Sequence, residues 1–259
     1  MPIITLTTDW QSTDFYAGAI KGKILSLCPS ANIIDISHNI QTFNFVQAAF
    51  IIKNSYKNFP EGTIHIICIN SEQNETKPFI VLKINKQYFI GADTGIFGLI
   101  FDEQAEIAIK IKNNKTSIST FPEFDIFAEA AANLANGKQI SELGDKIKEL
   151  NRIIPLRPTI DDNIITGKIV YIDSYKNAIT NISKNIFDTI GKNRKFEITI
   201  KSNLFKINKI NNTYHETSAG EILAIFNSLD YLEIAMNHGN LCELLNLDTN
   251  SIVRIVFSD

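Results

Sequence analysis

The sequence predicts an α/β domain, built on a mostly parallel central sheet with flanking helices, followed by a smaller domain made mostly of β-strands. In the first half of the chain, short β-branched runs alternate with helical patterns, which is typical of βαβ units. Pro155 and Pro158 then hold the backbone extended and block a helix. Beyond them the sequence consists mostly of short strand-like runs. We therefore predict an α/β domain at residues 1–157 and a β domain at residues 158–259.

The elements of the first domain follow from the spacing of apolar residues. Helical spacing predicts helices, and dense β-branched runs predict strands. In chain order the predicted elements are a strand at Ile3–Thr7, a helix at Phe15–Leu27, a strand at Ile33–Ile36, a helix at Phe45–Tyr56, a strand at Thr63–Ile69, a hairpin of Phe79–Ile84 and Tyr88–Ile90, a short helix at Ile96–Phe101 and a helix at Asp125–Asn136. Asp125 is expected to cap the last helix.

The second domain shows strands separated by turns. The predicted strands are Ile164–Ile172, Lys195–Ile200, Glu221–Phe226, Tyr231–Ala235 and Ser251–Phe257, with a helix near Leu241–Leu245. A series of short strands of this kind is typical of a compact β domain.

Composition and charge narrow the class of protein. The 259 residues include 25 basic and 28 acidic side chains, a formal net charge of −3, which argues against a nucleic-acid or membrane-surface partner. A hydrophobic content of 44% and a charged content of 20% exclude a disordered chain. Cys28, Cys68 and Cys242 lie apart among apolar residues, as expected for buried thiols in a reducing compartment. No signal segment opens the sequence, so we expect a cytoplasmic location.

The common catalytic motifs for phosphate, dinucleotide, zinc-protease and serine-hydrolase sites do not occur in the sequence. Its four histidines are far apart, so we predict no metal site and interpret each histidine as structural. Polar residues at strand ends remain, and we expect Asp9, Asn70 and Asp93 to face one crevice. A carboxylate at a strand end suits the two hydroxyls of a ribose, although capping of a turn explains the same residues.

Seven segments, in this order along nearly the whole chain, resemble one known family. They are TLTTDW with DFYAGAIKGKI, DISHNI, FPEGTIHIICIN, GADTGIF, TF with DIFAEAAANLANG, GKIVYIDSYKNAITNI and FNSLDYLEIAMNHGN. In these segments the chain resembles the S-adenosylmethionine (SAM) hydroxide adenosyltransferases and the related fluorinase and chlorinase.

The resemblance implies a fold, an assembly and a ligand. It implies an α/β domain, a smaller barrel-like C-terminal domain, and a homotrimer in which SAM lies between the N-terminal domain of one subunit and the C-terminal domain of its neighbour. SAM is then the substrate or ligand, with no additional cofactor.

The resemblance also implies binding roles, residue by residue. Asp9 is expected to hold the ribose hydroxyls, and Phe43 to stand at the aromatic wall of the site. The roles toward the methionine and adenine portions fall to Asp173, Asn177 and Ser228, with the Tyr175 ring on the same loop and the backbone of His238 at the adenine edge.

At the reacting end this sequence departs from the family. The hydrolytic members use an Asp, Arg and His set, and the matching positions here are Asn70, Lys77 and Pro122. Water attacking a carbon benefits from a base, but neither Asn70 nor Pro122 can accept a proton, and Lys77 keeps the charge of Arg without its planar fork. Glu123 is the nearby candidate for a replacement base. Its alternative interpretation is a solvated carboxylate at the start of a helix.

The same position disfavours halogenation. Glu123 falls where the fluorinase has a small hydroxyl side chain beside its halide, and a carboxylate there repels an anion.

Three hypotheses about function follow. The leading one is hydrolysis of SAM to adenosine and methionine, in which Lys77 and Glu123 partly replace the usual set and Asn70 lies at the reacting end. The alternative is a non-catalytic binder or sensor of SAM or adenosine. A third is that Asn70 and the altered loop admit another nucleoside.

Overall fold

The computed structural model describes residues 1–72, 74, 76–112 and 119–258, with the side chains of 202–204 left aside. The chain forms two compact units, Met1–Pro155 and Leu156–Asp259. Each unit has its own hydrophobic core.

The first unit combines a sheet with helices, as predicted. Its strands are β1 (Ile3–Thr8), β2 (Asn32–Ser37), β3 (Ile64–Cys68), β4 (Phe79–Ile84), β5 (Gln87–Ala92), β6 (Ile107–Ile111) and β7 (Gly144–Lys146). Its helices are α1 (Tyr16–Leu27), α2 (Phe45–Ser55), α3 (Phe97–Ile100) and α4 (Ala128–Ala135), with 3-10 turns at Tyr56–Asn58 and Ile140–Glu142 and a π-helical turn at Glu123–Phe127.

In the described part of the chain these strands form one sheet in the order β2-β1-β3-β5-β4-β6-β7. The neighbouring strands β2, β1, β3 and β5 are parallel to one another. The remaining pairs, β5 with β4, β4 with β6 and β6 with β7, are antiparallel. The sheet is therefore mixed rather than mostly parallel. The predicted hairpin explains the change of direction, because Asn85 and Lys86 both adopt positive φ angles (51° and 60°), the geometry of a tight type I′ turn.

Helices cover both faces of this sheet. Side chains alternate between the two faces along a strand, so Ile66 of β3 packs in the core under α1 and α4, while Ile67 packs with α2 and α3. The carboxyl ends of β1, β2 and β3 consequently meet at one edge, where the loops after these strands come together.

The second unit consists mostly of strands. They are β8 (Thr159–Asp161), β9 (Ile164–Ile172), β10 (Ala178–Ser183), β11 (Lys195–Ile200), β12 (Ser202–Ile207), β13 (Ile210–Asn211), β14 (Ile222–Phe226), β15 (Tyr231–Met236) and β16 (Ile252–Ser258). Its helices are α5 (Lys184–Gly191) and α6 (Leu241–Leu245), and a 3-10 turn lies at Tyr214–Glu216.

The strands of this unit curve into a nearly closed sheet. The order is β12-β11-β16-β9-β10-β15-β14-β13, with β8 added to β9, and β12 approaches β14. The interior is filled by the inward-facing apolar residues of alternating strand positions, among them Ile169, Ile198, Ile234 and Val253. The predicted fold class, an α/β domain followed by a barrel-like β domain, is confirmed.

Some elements differ from the sequence-based prediction. The predicted elements omit β6, β7, β8, β10, β12, β13 and α5, each of which has eight residues or fewer and therefore shows only a short apolar pattern. The cap predicted at Asp125 is wrong, because helical structure begins earlier and Asp125 lies inside the π-helical turn. None of the helices in the described part of the chain is long and apolar enough to cross a membrane.

Candidate functional site

Asp9 lies at the carboxyl end of β1, where a hydrogen bond joins its loop to the loop after β2. Its Oδ2 accepts a hydrogen bond from the backbone N–H of Phe43 at 2.9 Å. The backbone N–H of Gln11 donates to the carbonyl oxygen of His38 at 2.9 Å and connects the same two loops. These two hydrogen bonds hold the loop of Asp9 in position. The Asp9 residue itself is only 7% exposed.

Residues other than glycine adopt left-handed backbone conformations around this edge. The φ angles are 67° at Gln11, 64° at Phe43 and 48° at Asn70, the residue that follows β3 by two positions. A left-handed conformation costs about 1–2 kcal/mol for an L-residue with a side chain, and such strain concentrates at functional sites. The Asp9 hydrogen bond stabilises the most unusual of these, because an aromatic residue rarely takes a positive φ.

Glu123 enters the same region from a π-helical turn. This turn, Glu123–Phe127, runs directly into α4, and π-helical turns occur frequently at functional sites. Glu123 is only 6% exposed, so it is not the solvated carboxylate of the alternative interpretation.

The side chain of Ser71 lies beside Glu123. Its buried hydroxyl lies close enough to lower the pKa of the Glu123 carboxyl group, but the described residues offer this hydroxyl no hydrogen bond of good geometry. The Ser71 hydroxyl is therefore available to a ligand or a water molecule.

Aromatic rings form one wall beside the two carboxyl groups. The Trp10 ring lies 5.6 Å from the Phe121 ring and 5.7 Å from the Tyr16 ring, and Tyr16 lies 5.2 Å from Phe121. Phe43 adds a ring that is 62% exposed. Such rings bury large flat surfaces and attract cations to their faces.

Together these groups enclose a cavity of about 600 Å³, within the range of small-molecule sites. The described lining residues are Asp9, Trp10, Tyr16, Thr42, Phe43, Asn70, Ser71, Glu72, Ser119, Thr120, Phe121, Pro122 and Glu123. The structure therefore brings Asp9, Phe43, Asn70 and Glu123 together, as the sequence predicts.

The electrostatics of the cavity are dominated by buried acids. Burial raises the pKa of Glu123, and the neighbouring Asp9 raises it further. Burial also raises the pKa of Asp9, which the Phe43 N–H opposes. The pKa of the Cys68 thiol is raised well above its ordinary value by burial and by both carboxyl groups, so this thiol stays neutral.

The second unit carries its candidate residues on turns. In the turn between β9 and β10, the Asn177 N–H donates to Asp173 Oδ1 at 2.8 Å and Asn177 Nδ2 donates to Oδ2 at 3.3 Å. Lys176 has a φ of 66°, and the Tyr175 side chain is 78% exposed. The turn is built around Asp173 and presents the tyrosine ring to solvent.

The other two candidates of this unit lie at opposite ends of β15. Ser228 belongs to the hairpin turn before the strand, and His238, with a φ of 49°, follows it. Ile234 pairs with Ala178, so His238 shares an end with the Asp173 turn. Because β15 has six residues, Ser228 is separated from that end by roughly 17–20 Å.

Family models match both units of the chain. The model described as the SAM hydroxide adenosyltransferase N-terminal domain matches residues 4–144, and the model of the C-terminal domain matches residues 167–254. These two segments make up most of the 259 residues. The chain belongs to the SAM hydroxide adenosyltransferase family.

Relatives match the chain over nearly their full length. The chain is 30% identical to the (R)-S-adenosyl-L-methionine hydrolase of Methanocaldococcus jannaschii, covering 99% of this chain and 97% of the relative. It is 23% identical to the fluorinase of Actinoplanes sp., covering 98% and 97%. A crystal structure of an uncharacterized conserved protein from Thermotoga maritima superposes with a TM-score of 0.88 at 27% identity, over 98% of this chain and 99% of that one.

Two residues expected near the cavity of this family member lie elsewhere. Asp93 does not line it, because Asp93 Oδ2 accepts the backbone N–H of Asn151 at 3.0 Å and anchors the end of the first unit. Lys77 is half-buried and is not among the described lining residues. The predicted loop Asn70–Lys77 also includes Gln73 and Glu75, which lie outside the described residues.

Sequence reasoning missed several lining residues of this family member. Ser71, Trp10, Tyr16 and Phe121 line the cavity but are not among the predicted site residues, although the last three fall within segments that resemble the family. Their proximity in the sequence to Asp9, Asn70 and Glu123 is a usable signal, because residues next to a strand-end loop share its edge of the sheet. No group of three metal-ligating side chains occurs among the described residues.

Proposed function

We propose that this protein binds SAM and transfers its adenosyl group to water, which yields adenosine and methionine. The observation that carries the proposal is the buried Glu123 carboxyl group in the cavity beside Asp9. Membership of the SAM hydroxide adenosyltransferase family and the name of the Methanocaldococcus jannaschii relative support the same reaction.

The reaction is a displacement at the C5′ carbon of the adenosyl group. The water oxygen forms a bond to C5′ while the bond from C5′ to sulfur breaks, and the electron pair of that bond turns the sulfonium into the neutral thioether of methionine. The attacking water loses one proton, which the ionised Glu123 accepts. A neutral thioether leaves readily, so activation of water by a positioned base, typically about 10²- to 10⁴-fold in rate, is the main task of the protein.

Three residues of the first unit are proposed to contact SAM or the attacking water. Asp9 is proposed to accept hydrogen bonds from the ribose hydroxyls. Its carboxylate can accept about four hydrogen bonds, and the Phe43 N–H uses one of these acceptor sites, on Oδ2. Phe43 offers an exposed ring at the mouth of the cavity. Asn70 lines the cavity and is proposed to orient the attacking water, whereas Lys77, which is not among the described lining residues, is given no role at the reacting end.

The second unit is proposed to complete the site from a neighbouring copy in a homotrimer. Asp173 and Asn177 build a preformed turn, and the exposed Tyr175 ring, Ser228 and the His238 backbone extend the contacts to the methionine and adenine portions. Light scattering of the purified protein, with a trimer mass as the expected result, tests the assembly.

Product analysis tests the activity. Stoichiometric protein is incubated with each sulfonium epimer of SAM, and adenosine and methionine are measured by mass spectrometry. We expect adenosine above the control without protein. Intact SAM retained by the protein would instead show a binder without activity, which refutes the proposal.

The role of Glu123 has its own test with a matched control. Glu123→Gln keeps the shape of the side chain and removes the base, so turnover is expected to fall by about 10²-fold or more, which is more than binding falls. Glu129→Gln changes an exposed carboxylate on α4 and should leave turnover unchanged. Full turnover in Glu123→Gln would show that Glu123 is not the base.

A further inference from the structure

The carboxyl groups of Asp9 and Glu123 share the cavity, and among the described residues no cation lies beside them. The described lining residues include no lysine or arginine. The ion pairs in the described part of the chain, such as Lys21 with Asp35, lie on the surface and involve neither of the two. Two buried acids without a positive partner are unfavourable when both are ionised.

The neighbours of the two carboxyl groups provide dipoles but no charge. Asp9 receives the Phe43 N–H at 2.9 Å, and Glu123 has the hydroxyl of Ser71 nearby. The buried Ser71 hydroxyl has no hydrogen bond of good geometry among the described residues and lines the same cavity. A buried hydroxyl without a protein partner of good geometry can form its hydrogen bond with a ligand or a water molecule.

The remaining wall is also suited to positive charge. The ring cluster of Trp10, Tyr16 and Phe121 borders the same space, and the faces of such rings attract cations. Carboxylates and aromatic faces together resemble no halide or phosphate site, because both repel anions.

We infer that Glu123 makes this cavity select adenosyl ligands that carry a positive charge at the position of the sulfur atom over their uncharged thioether counterparts. This inference rests on the proposed function, because it assumes that the adenosyl group occupies the cavity. It assigns Glu123 a role in specificity that is separate from proton transfer. After hydrolysis the sulfur is neutral, so the same selection favours release of the methionine product and entry of fresh substrate.

The size of the selection follows from Coulomb's law. In a displacement the attacking water and the sulfur lie on opposite sides of C5′, so a base touching the water is about 6–7 Å from the sulfur. At an effective dielectric constant of about 20, one carboxylate at this distance favours the charged ligand by roughly 50- to 100-fold, and partial access of water lowers this to about 10-fold.

Two probes that the protein does not hydrolyse test the inference. Sinefungin carries a protonated amine on carbon in place of the methylated sulfur, and S-adenosylhomocysteine carries a neutral thioether. Their dissociation constants are measured by calorimetry at neutral pH with the wild-type protein, Glu123→Gln and Glu129→Gln. Glu129 is an exposed carboxylate on α4 that is not among the described lining residues of the cavity, and it serves as the matched control.

We expect the wild-type protein and Glu129→Gln to bind sinefungin about 10- to 100-fold more tightly than S-adenosylhomocysteine, and this ratio to approach one in Glu123→Gln. An equal ratio in all three proteins, or no binding of either probe to the wild type, overturns the inference. If Glu123→Gln does not fold, a wild-type ratio near one still overturns the inference. Selective binding without formation of adenosine from SAM would refute the proposed hydrolysis and leave the charge selection standing. Formation of adenosine without selective binding would refute the charge selection and leave the hydrolysis standing.

Discussion

His65 provides a sharp test of how the sheet beneath the cavity is stabilised. It lies on β3 and is 1% exposed. Gln87 Nε2 donates to the Phe59 carbonyl at 2.8 Å, so Gln87 Oε1 accepts from His65 Nε2 at 2.8 Å, and His65 Nδ1 accepts the Thr5 hydroxyl at 2.7 Å. The imidazole is therefore held neutral between β1, β3 and β5. We predict that this histidine makes the first unit less stable as the pH falls.

The magnitude follows from the pKa of His65. Burial lowers it from 6.5 to about 4 in the folded chain. Between these values the unfolded chain binds the proton and the folded chain does not, so the free energy of unfolding decreases as the pH falls from 6.5 toward 4. A pH of 5 lies 1.5 units below the pKa of the histidine in the unfolded chain. This difference corresponds to a loss of about 2 kcal/mol in the free energy of unfolding.

Urea unfolding monitored by Trp10 fluorescence measures this loss. Trp10 is the single tryptophan of the chain and lies in the first unit, so its signal reports on that unit. The free energy of unfolding is compared at pH 7.5 and pH 5, at fixed protein concentration, for the wild type and for His65→Gln, whose amide does not titrate.

The difference between the two proteins isolates His65. Asp9, Asp93 and Glu123 have raised pKa values and therefore stabilise the fold as the pH falls, but they do so in both proteins. We expect the wild type to lose about 2 kcal/mol more than His65→Gln between the two pH values. The same pH dependence in both proteins would refute the reasoning.

Three further predictions concern the cavity. Asp9→Ala removes both the proposed ribose acceptor and the partner of the Phe43 N–H, so SAM binding measured by calorimetry should weaken by about 100-fold or more; an unchanged affinity would contradict the role of Asp9. In urea unfolding, the free energy of unfolding of Phe43→Gly should be about 1 kcal/mol higher than that of Phe43→Ala, because both variants lose the ring and only glycine relieves the left-handed φ. Equal free energies of unfolding would show that Phe43 stores no strain. Incubation with SAM in fluoride or chloride should yield no halogenated nucleoside by mass spectrometry, because Glu123 repels an anion, and a 5′-chloro or 5′-fluoro product would disprove this.

Much of the fold could be derived from the sequence because its signals are local. The alternation of strand and helix patterns predicts β1, α1, β3 and the β4–β5 hairpin, since apolar spacing reports which face of each element is buried. The position of Asp9 at a strand end also predicts that it borders a crevice. The resemblance to the family, in which Asn70 and Pro122 here replace groups that carry protons, directs attention to Glu123.

Other features of the site depend on contacts between residues far apart in the chain. Burial of Glu123 beside Asp9 arises where a π-helical turn, β1 and the loop after β3 converge, and no local pattern encodes it. The left-handed conformation of Phe43 depends on the distant Asp9 carboxylate. Asp93 has the same strand-end appearance as Asp9 but bonds to Asn151 instead, because partners of a polar residue are set by the packing around it. Element order and residue chemistry are thus local properties of the sequence, whereas burial, hydrogen-bond partners and pKa values arise only when the folded chain excludes water from specific groups.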